Sequence, residues 1–249
     1  MTRDKSQVTD CHTLAAIPRS RLLLDASGKT RMLTMSMRRS DSMSDPVTIY
    51  GDARSGNCLK VKWTADALDI PYTWTEIDVV QGETRTDEFL AINPAGQVPL
   101  LVSADGRRLA QSNAIITYLA RGSHLIPEDD FDHAKMLEWM FWEQYSHEPF
   151  IAVRRFQKAY MNMSEDEIDP SLLAKGRRAL GVMEMRLLSR DFMVGEQVSL
   201  ADIALLAYSR VADEGGFDLD EFLNVRGWVA RVEQELGLEV NEGRFFEQA

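Results

Sequence analysis

Apolar and polar positions change period several times between Val47 and Ala120. Val47-Thr48-Ile49-Tyr50 is β-branched and aromatic and is closed by Gly51-Asp52, which predicts a strand. From Cys58 to Leu68 the apolar residues Cys58, Leu59, Val61, Ala65 and Leu68 suit an amphipathic helix that stops before Ile70-Pro71. Tyr72 to Asp78 alternates as a strand does. A strand, a helix and a strand joined by short loops make a βαβ unit, so the two strands should run parallel. Thr86 to Ile92 predicts a short helix and Asn93-Pro94-Ala95-Gly96 a loop. Leu100–Val102 and Arg108–Ala110 form a hairpin across the Asp105-Gly106 turn. Ala114 to Ala120 closes the segment as a helix, with Ser112 as its expected N-cap.

After Ala120 the strand-like alternation stops. Gly122 to Asp130 has the texture of a linker, and only helical patterns follow. Phe131 to Ser146 carries Trp139, Phe141 and Trp142. Phe150 to Met161 mixes basic and aromatic residues, and Met163 to Pro170 is an acidic loop. Ser171 to Arg190 repeats Leu180, Met183, Leu187 and Leu188 at helical spacing. Ser199-Leu200-Ala201-Asp202 reads as a capping box before the apolar helix Ile203 to Val211. Asp220 to Leu236 supplies the last helix, around Trp228. The boundaries are then 45–122 for the α/β domain, 123–130 for the linker and 131–241 for an all-helical domain, with 242–249 as a C-terminal tail.

Residues 1–44 have another texture. LAAIPRSRLLL is an apolar patch amid Arg, Ser, Thr and Met, and Asp4, Asp10, Asp25 and Asp41 speak against a targeting peptide. The expectation is a disordered tail or a mis-assigned start, with Met32, Met35, Met37 and Met43 as alternative starts.

Composition narrows the class. Of 249 residues, 45% are hydrophobic and 27% charged, the balance of a soluble globular protein. A formal net charge of −11 argues against nucleic acid, because phosphate contacts need clustered Lys and Arg. No apolar run reaches the ~20 residues that span a membrane. Cys11 and Cys58 lie far apart, which fits a reducing cytoplasmic setting and not a disulfide framework. Four His and two Cys without short ligand spacing give no metal signal, and no tightly held cofactor is expected.

The chemistry gathers at three places. Ser55, Gly56, Asn57 and Cys58 sit where the first helix begins, and unpaired N–H groups with the dipole's positive end stabilise an anion there. A thiolate is such an anion. Cys58 also reads as a small packed core residue, and only its exposure would open a mixed disulfide. Val98-Pro99 is a candidate cis bond at a strand start. Gln111 and Ser112 precede a helix whose start can both be capped and receive a carboxylate.

Three stretches in order, IYGDARSGNCLKVK, FLAINPAGQVPLL and LAQSNAIITYLA, resemble a cytosolic glutathione S-transferase over residues 47 to about 240. The resemblance implies an α/β thioredoxin-like N-terminal domain of order β-α-β-α-β-β-α, followed by an all-α C-terminal domain. In thioredoxin-like folds a redox Cys-x-x-Cys occupies the site of Ser55-Gly56-Asn57-Cys58, so a hydroxyl here would donate to a thiolate instead of forming a disulfide. The resemblance implies that Val98, before a cis Pro99, offers its backbone to the cysteinyl part of glutathione, and that Gln111 and Ser112 hold its γ-glutamyl end. It implies Ser55 as the thiol-activating group, with Asn57 and Cys58 as alternatives. Tyr50 is read as core.

The activity implied is conjugation of glutathione, a co-substrate, to an electrophilic small molecule, as in detoxification. Lowering the thiol's pKa by about two units corresponds to ~2.7 kcal/mol. Tyr145, Phe150 and Arg154 are the candidates for the electrophile's side of an interdomain cleft. A homodimer is expected, with an exposed apolar patch on the first domain as its mark. Isomerase, dehalogenase or thiol-exchange chemistry on the same fold, and a non-catalytic binding module, stay open.

Overall fold

The computed structural model describes residues 46–239. The tails expected at 1–44 and 242–249, and Cys11, lie outside the described residues. The first half builds a four-stranded sheet from β1 (Val47–Gly51), β2 (Tyr72–Glu76), β3 (Leu100–Val102) and β4 (Arg108–Ala110). Its order is β2-β1-β3-β4, with β1 parallel to β2 and antiparallel to β3, and β3 antiparallel to β4. The βαβ unit and the hairpin account for this mixed pairing. The helices of this half are α1 (Gly56–Ala67), α2 (Asp87–Ile92) and α3 (Ser112–Leu119). Thr86 caps α2 by accepting the Phe89 N–H. Together they give the thioredoxin-like order β-α-β-α-β-β-α.

The second half is all helix: α4 (Asp130–Trp142), α5 (Glu148–Arg155), α6 (Pro170–Leu187), α7 (Leu200–Ser209) and α8 (Leu223–Glu235). Every residue of α7 is buried, as expected of a helix apolar all round. It packs against α1, α4 and α8 and so joins the two halves. At its start the Asp202 carboxylate accepts the Ser199 N–H at 2.9 Å and the Ser199 hydroxyl at 2.8 Å.

The structure corrects three local expectations. Ser112 is not the N-cap of α3. Gln111 holds that position, its carbonyl accepting the Ile115 N–H, and Ser112 is the first helical residue. The helices expected at 131–146 and 150–161 form one continuous rod, because α4 passes into α5 through a wide turn at Glu143–His147 closed by an i→i+5 bond from Glu148 N–H to Glu143 C=O. Pro149 follows in the first turn of α5, where its missing N–H costs least. A second wide turn, Phe156–Tyr160, extends the rod. Such turns are frequent at functional sites. Thirdly, exposed large apolar side chains do not form a patch on the first half. Phe131, Phe141 and Tyr145, on α4 and its wide turn, stand out instead.

Candidate active site

The loop after β1 is pinned by Asp52. Its carboxylate accepts the backbone N–H groups of Arg54 and Val79 at 2.9 and 3.0 Å and the Arg54 guanidinium at 2.8 and 2.9 Å. Burial alone would raise this carboxyl's pKa, but the bonds from Arg54 and Val79 outweigh it and hold it below the usual range. Ser55 then takes the N-cap position of α1 in extended conformation, without spending its hydroxyl on the cap. That hydroxyl lies near the Tyr208 hydroxyl and the Cys58 thiol and favours the ionised form of each, against the larger effect of their burial. Gly56 lets α7 approach: a Cβ there would sit 2.8 Å from Tyr208 Cζ and 2.9 Å from the Ala207 carbonyl oxygen.

Asn57 is held at every polar atom. Its N–H donates to the Tyr208 hydroxyl at 3.2 Å. Its Oδ1 accepts from Lys60 Nζ at 2.8 Å and from the Ser112 hydroxyl at 3.0 Å. Its Nδ2 donates to Glu148 Oε1 at 3.2 Å. Lys60 continues to Glu143 Oε1 at 2.8 Å, and both side chains are fully buried. Glu143 Oε2 accepts from Asn113 and Gln144. This network ties α1 and α3 to the α4–α5 rod. Next to it His147 is buried, with Nε2 3.0 Å from the Ser209 hydroxyl, and burial pushes its pKa down to about 4, so the ring is neutral at pH 7.

A cavity of about 840 Å³ opens between the two halves. Ser55, Asn57, Val98, Pro99, Gln111 and Ser112 all line it from the first half. The Val98-Pro99 bond is cis. The Asn93 side chain donates to the Gln97 carbonyl at 2.7 Å and steadies this loop, and Val98's own N–H and C=O have no partner among the described residues. Gln111 is exposed at φ +72°, an uncommon conformation for a residue with a Cβ and one often held at functional sites. Gln144, Glu148, Val153, Arg155, Phe156 and Tyr160 line the facing wall, and Tyr208 joins them from α7. Arg155 is committed: its Nε donates to Glu214 at 2.6 Å and its Nη2 to the Tyr160 hydroxyl at 2.7 Å. Among the described residues no cluster of His, Cys, Asp or Glu is placed to hold a metal, and no helix is long and apolar enough to cross a membrane.

Two family models match in succession: glutathione S-transferase, N-terminal domain, over residues 54–121, and glutathione S-transferase, C-terminal domain, over 142–235. The chain is 46% identical to a glutathione S-transferase from Pseudomonas fluorescens of known structure, at a TM-score of 0.73, covering 75% of this chain and 94% of that one. The chain belongs to the glutathione S-transferase family. It is also 43% identical to a possible glutathione S-transferase from Rhodopseudomonas palustris, at a TM-score of 0.73, over 78% and 97% of the two chains. Elongation factor 1-gamma of Artemia salina is 32% identical over 149 residues, 54% of this chain and 33% of its own length.

In this member of the family the alternative role of Cys58 falls away and three sequence-based assignments change. Cys58 is 0% exposed and accepts the Asp52 N–H at 3.4 Å; burial pushes its thiol up to about 11, so it is neither ionised nor reachable from the cavity. Tyr145 is 84% exposed and lies outside the cavity. Phe150 packs under Lys175, whose Nζ is 5.4 Å from the ring centroid. Arg154 is buried, bonded to the Gly215 carbonyl at 2.7 Å and paired with Glu165. Successive helical residues point about 100° apart, and the neighbours Gln144 and Arg155 are the ones that face the cavity. The sequence reading missed Glu148, Tyr160 and Tyr208. Glu148, one residue before a proline in a helical region, was the detectable one.

Proposed function

We propose that this protein conjugates glutathione to an electrophilic small molecule. The observation that carries the reading is convergence. The Ser55 hydroxyl with the α1 N-terminus, the open backbone of Val98, and Gln111 with Ser112 come from three separate stretches and meet in one cavity. In the bound state Ser55 donates to the glutathione sulfur, and the helix start adds a positive potential, so the thiolate is favoured without a covalent bond to the protein. Val98 pairs with the cysteinyl backbone, and Gln111 with the backbone N–H of Ser112 at the start of α3 holds the γ-glutamyl carboxylate, the Ser112 hydroxyl staying on Asn57. The electrophile occupies the wall of Val153, Phe156 and Tyr160. That the Rhodopseudomonas and Pseudomonas relatives carry the transferase name supports the same reading.

Titration calorimetry with glutathione, beside a conjugation assay on an activated aryl halide, tests this. Binding with turnover is expected, and Ser55→Ala should lower kcat about 10²-fold, the loss typical of one donor to a developing anion, with glutathione affinity nearly unchanged. Equal activity in Ser55→Ala moves the role to Asn57. The match to elongation factor 1-gamma favours a second reading, a non-catalytic binding module, and absence of binding and turnover would make it the better one.

The partner assigned to the exposed stripe of Phe131, Phe141 and Tyr145 is a second copy of the chain, since a monomer gains nothing from three aromatic side chains in water on one helical face. Light scattering should give a dimer for the wild type and a monomer for Phe141→Asp. A monomeric wild type overturns the assignment.

A further inference from the structure

We propose that Glu148 takes the proton of the glutathione thiol, acting from the helical domain on a thiol held by the other; the inference rests on the glutathione reading above. The geometry comes from how Asn57 is pinned. Its Oδ1 is fixed by two donors, Lys60 Nζ and the Ser112 hydroxyl, so its Nδ2 must point the other way, and there it meets Glu148 Oε1 at 3.2 Å. Glu148 Oε2 has no protein partner among the described residues, and Glu148 lines the cavity together with Ser55 and Val98. The wide turn at Glu143–His147 sets this carboxylate at the very start of α5, beside the loop that begins α1.

A largely buried carboxylate next to a thiolate site is a liability unless it is used, because two like charges there repel. Other charges around it are already balanced. Arg54 is paired with Asp52 and Asp78, Arg155 with Glu214, and Lys60 with Glu143. The groups that face Glu148 are Lys60 and Asn57 from α1, Glu143 from its own rod and the Tyr208 hydroxyl from α7. Burial raises its pKa; Lys60 and Asn57 pull it back and Glu143 adds to the rise, leaving it above the ordinary carboxylate range. That direction brings it nearer the working pH of a base.

In the step, the S–H bond breaks, its electron pair stays on sulfur, and the proton forms the O–H bond of Glu148. When the thiolate adds to a conjugated carbonyl compound, Glu148 returns the proton to the atom that received the electron pair, and the carboxylate is restored. In displacement of a halide the proton leaves to solvent with the halide ion.

Glu148→Gln is nearly isosteric, and its amide oxygen still accepts from Asn57. Two readouts are compared with wild type at pH 7: the ultraviolet thiolate band of bound glutathione, and kcat with an enone and with an activated aryl halide. The variant should lose about 10²-fold in kcat while the thiolate band is kept or strengthened, with KM for glutathione within about twofold. Glu148→Asp should recover part of the lost kcat. Wild-type kcat/KM should fall on the acid side as a carboxyl titrates above the ordinary range, and the Gln variant should lack that limb. A carboxylate that merely sat beside the sulfur gives kcat the opposite sign, since removing its charge would strengthen the band and raise kcat with it. A retained or higher kcat in Glu148→Gln therefore overturns the inference and leaves the transferase reading standing. A wild type that binds no glutathione overturns both.

Discussion

Replacing Lys60 by methionine should remove about 3–5 kcal/mol of folding stability, the cost of stripping one partner from a buried ion pair. The loss follows from what stays behind. Lys60 and Glu143 are both 0% exposed, and their 2.8 Å contact crosses from α1 to the α4–α5 rod. Without the ammonium, the Glu143 carboxylate keeps only neutral donors, Asn113 at 3.2 Å and Gln144 at 2.9 Å. Methionine fills the volume of the lysine stem, so the effect is charge and not cavity. For a protein of this size, ~3–5 kcal/mol moves Tm by about 10 °C.

The double variant Lys60→Met, Glu143→Gln should recover much of that loss, because no charge is then left unpaired in the interior. Chemical denaturation of wild type, both single variants and the double gives the coupling. A Lys60→Met protein as stable as wild type would sink the argument. The pair also has a consequence for the site. Lys60 Nζ is one of the two donors that orient the Asn57 amide, so the double variant should regain stability and still show weaker turnover. That split separates an interdomain strut from a positioning residue.

Sequence periodicity served the α/β half best because its signals are local. The β-branched run before Gly51, the Asp105-Gly106 turn and the helix signals each lie within a few residues of what they specify, and β1, β3, β4 and α2 fall where the pattern put them. The first-half candidates Ser55, Val98, Gln111 and Ser112 come from the family resemblance, and the short loops between regular elements bring all four to the lining of one cavity. The facing wall was not legible. A wide turn has no sequence mark, and Pro149 reads as a break where the rod in fact continues. Tyr145, Phe150 and Arg154 have the aromatic and basic character of a substrate wall, but the fold exposes the first, packs the second under Lys175 and buries the third against the Gly215 carbonyl. Cys58 was ambiguous until its burial was known, since a helix-start cysteine reads alike whether it faces a ligand or the core. Tyr208 lies 151 residues from Asn57, and nothing local to either residue announces that their polar atoms meet.

Asp202→Ala should be as damaging, at about 3–5 kcal/mol, while the corresponding change at Ser199 should cost only about 1 kcal/mol. The capping pattern shows just two of the donors that Asp202 serves, both from Ser199. The other two come from elsewhere: Met193 N–H at 2.8 Å and Trp228 Nε1 at 2.9 Å. Alanine leaves these four donors in the interior, where an unsatisfied polar group costs ~1–3 kcal/mol and only part of the four can find other partners. Trp228 is itself fully buried, so its indole N–H cannot turn to water. Asp202→Asn should fall between, because one amide oxygen keeps Met193 and Trp228 while the NH₂ faces the Ser199 N–H as donor against donor. Denaturant melts give the order wild type, Ser199→Ala, Asp202→Asn, Asp202→Ala. Asp202 accepts from α8 and from the loop before α7, so it fastens the far end of the helix whose other end carries Tyr208 into the cavity. The folded fraction of Asp202→Asn should accordingly keep the wild-type KM for glutathione; a raised KM at unchanged stability would mean that this end of α7 positions the site and does not only hold the fold.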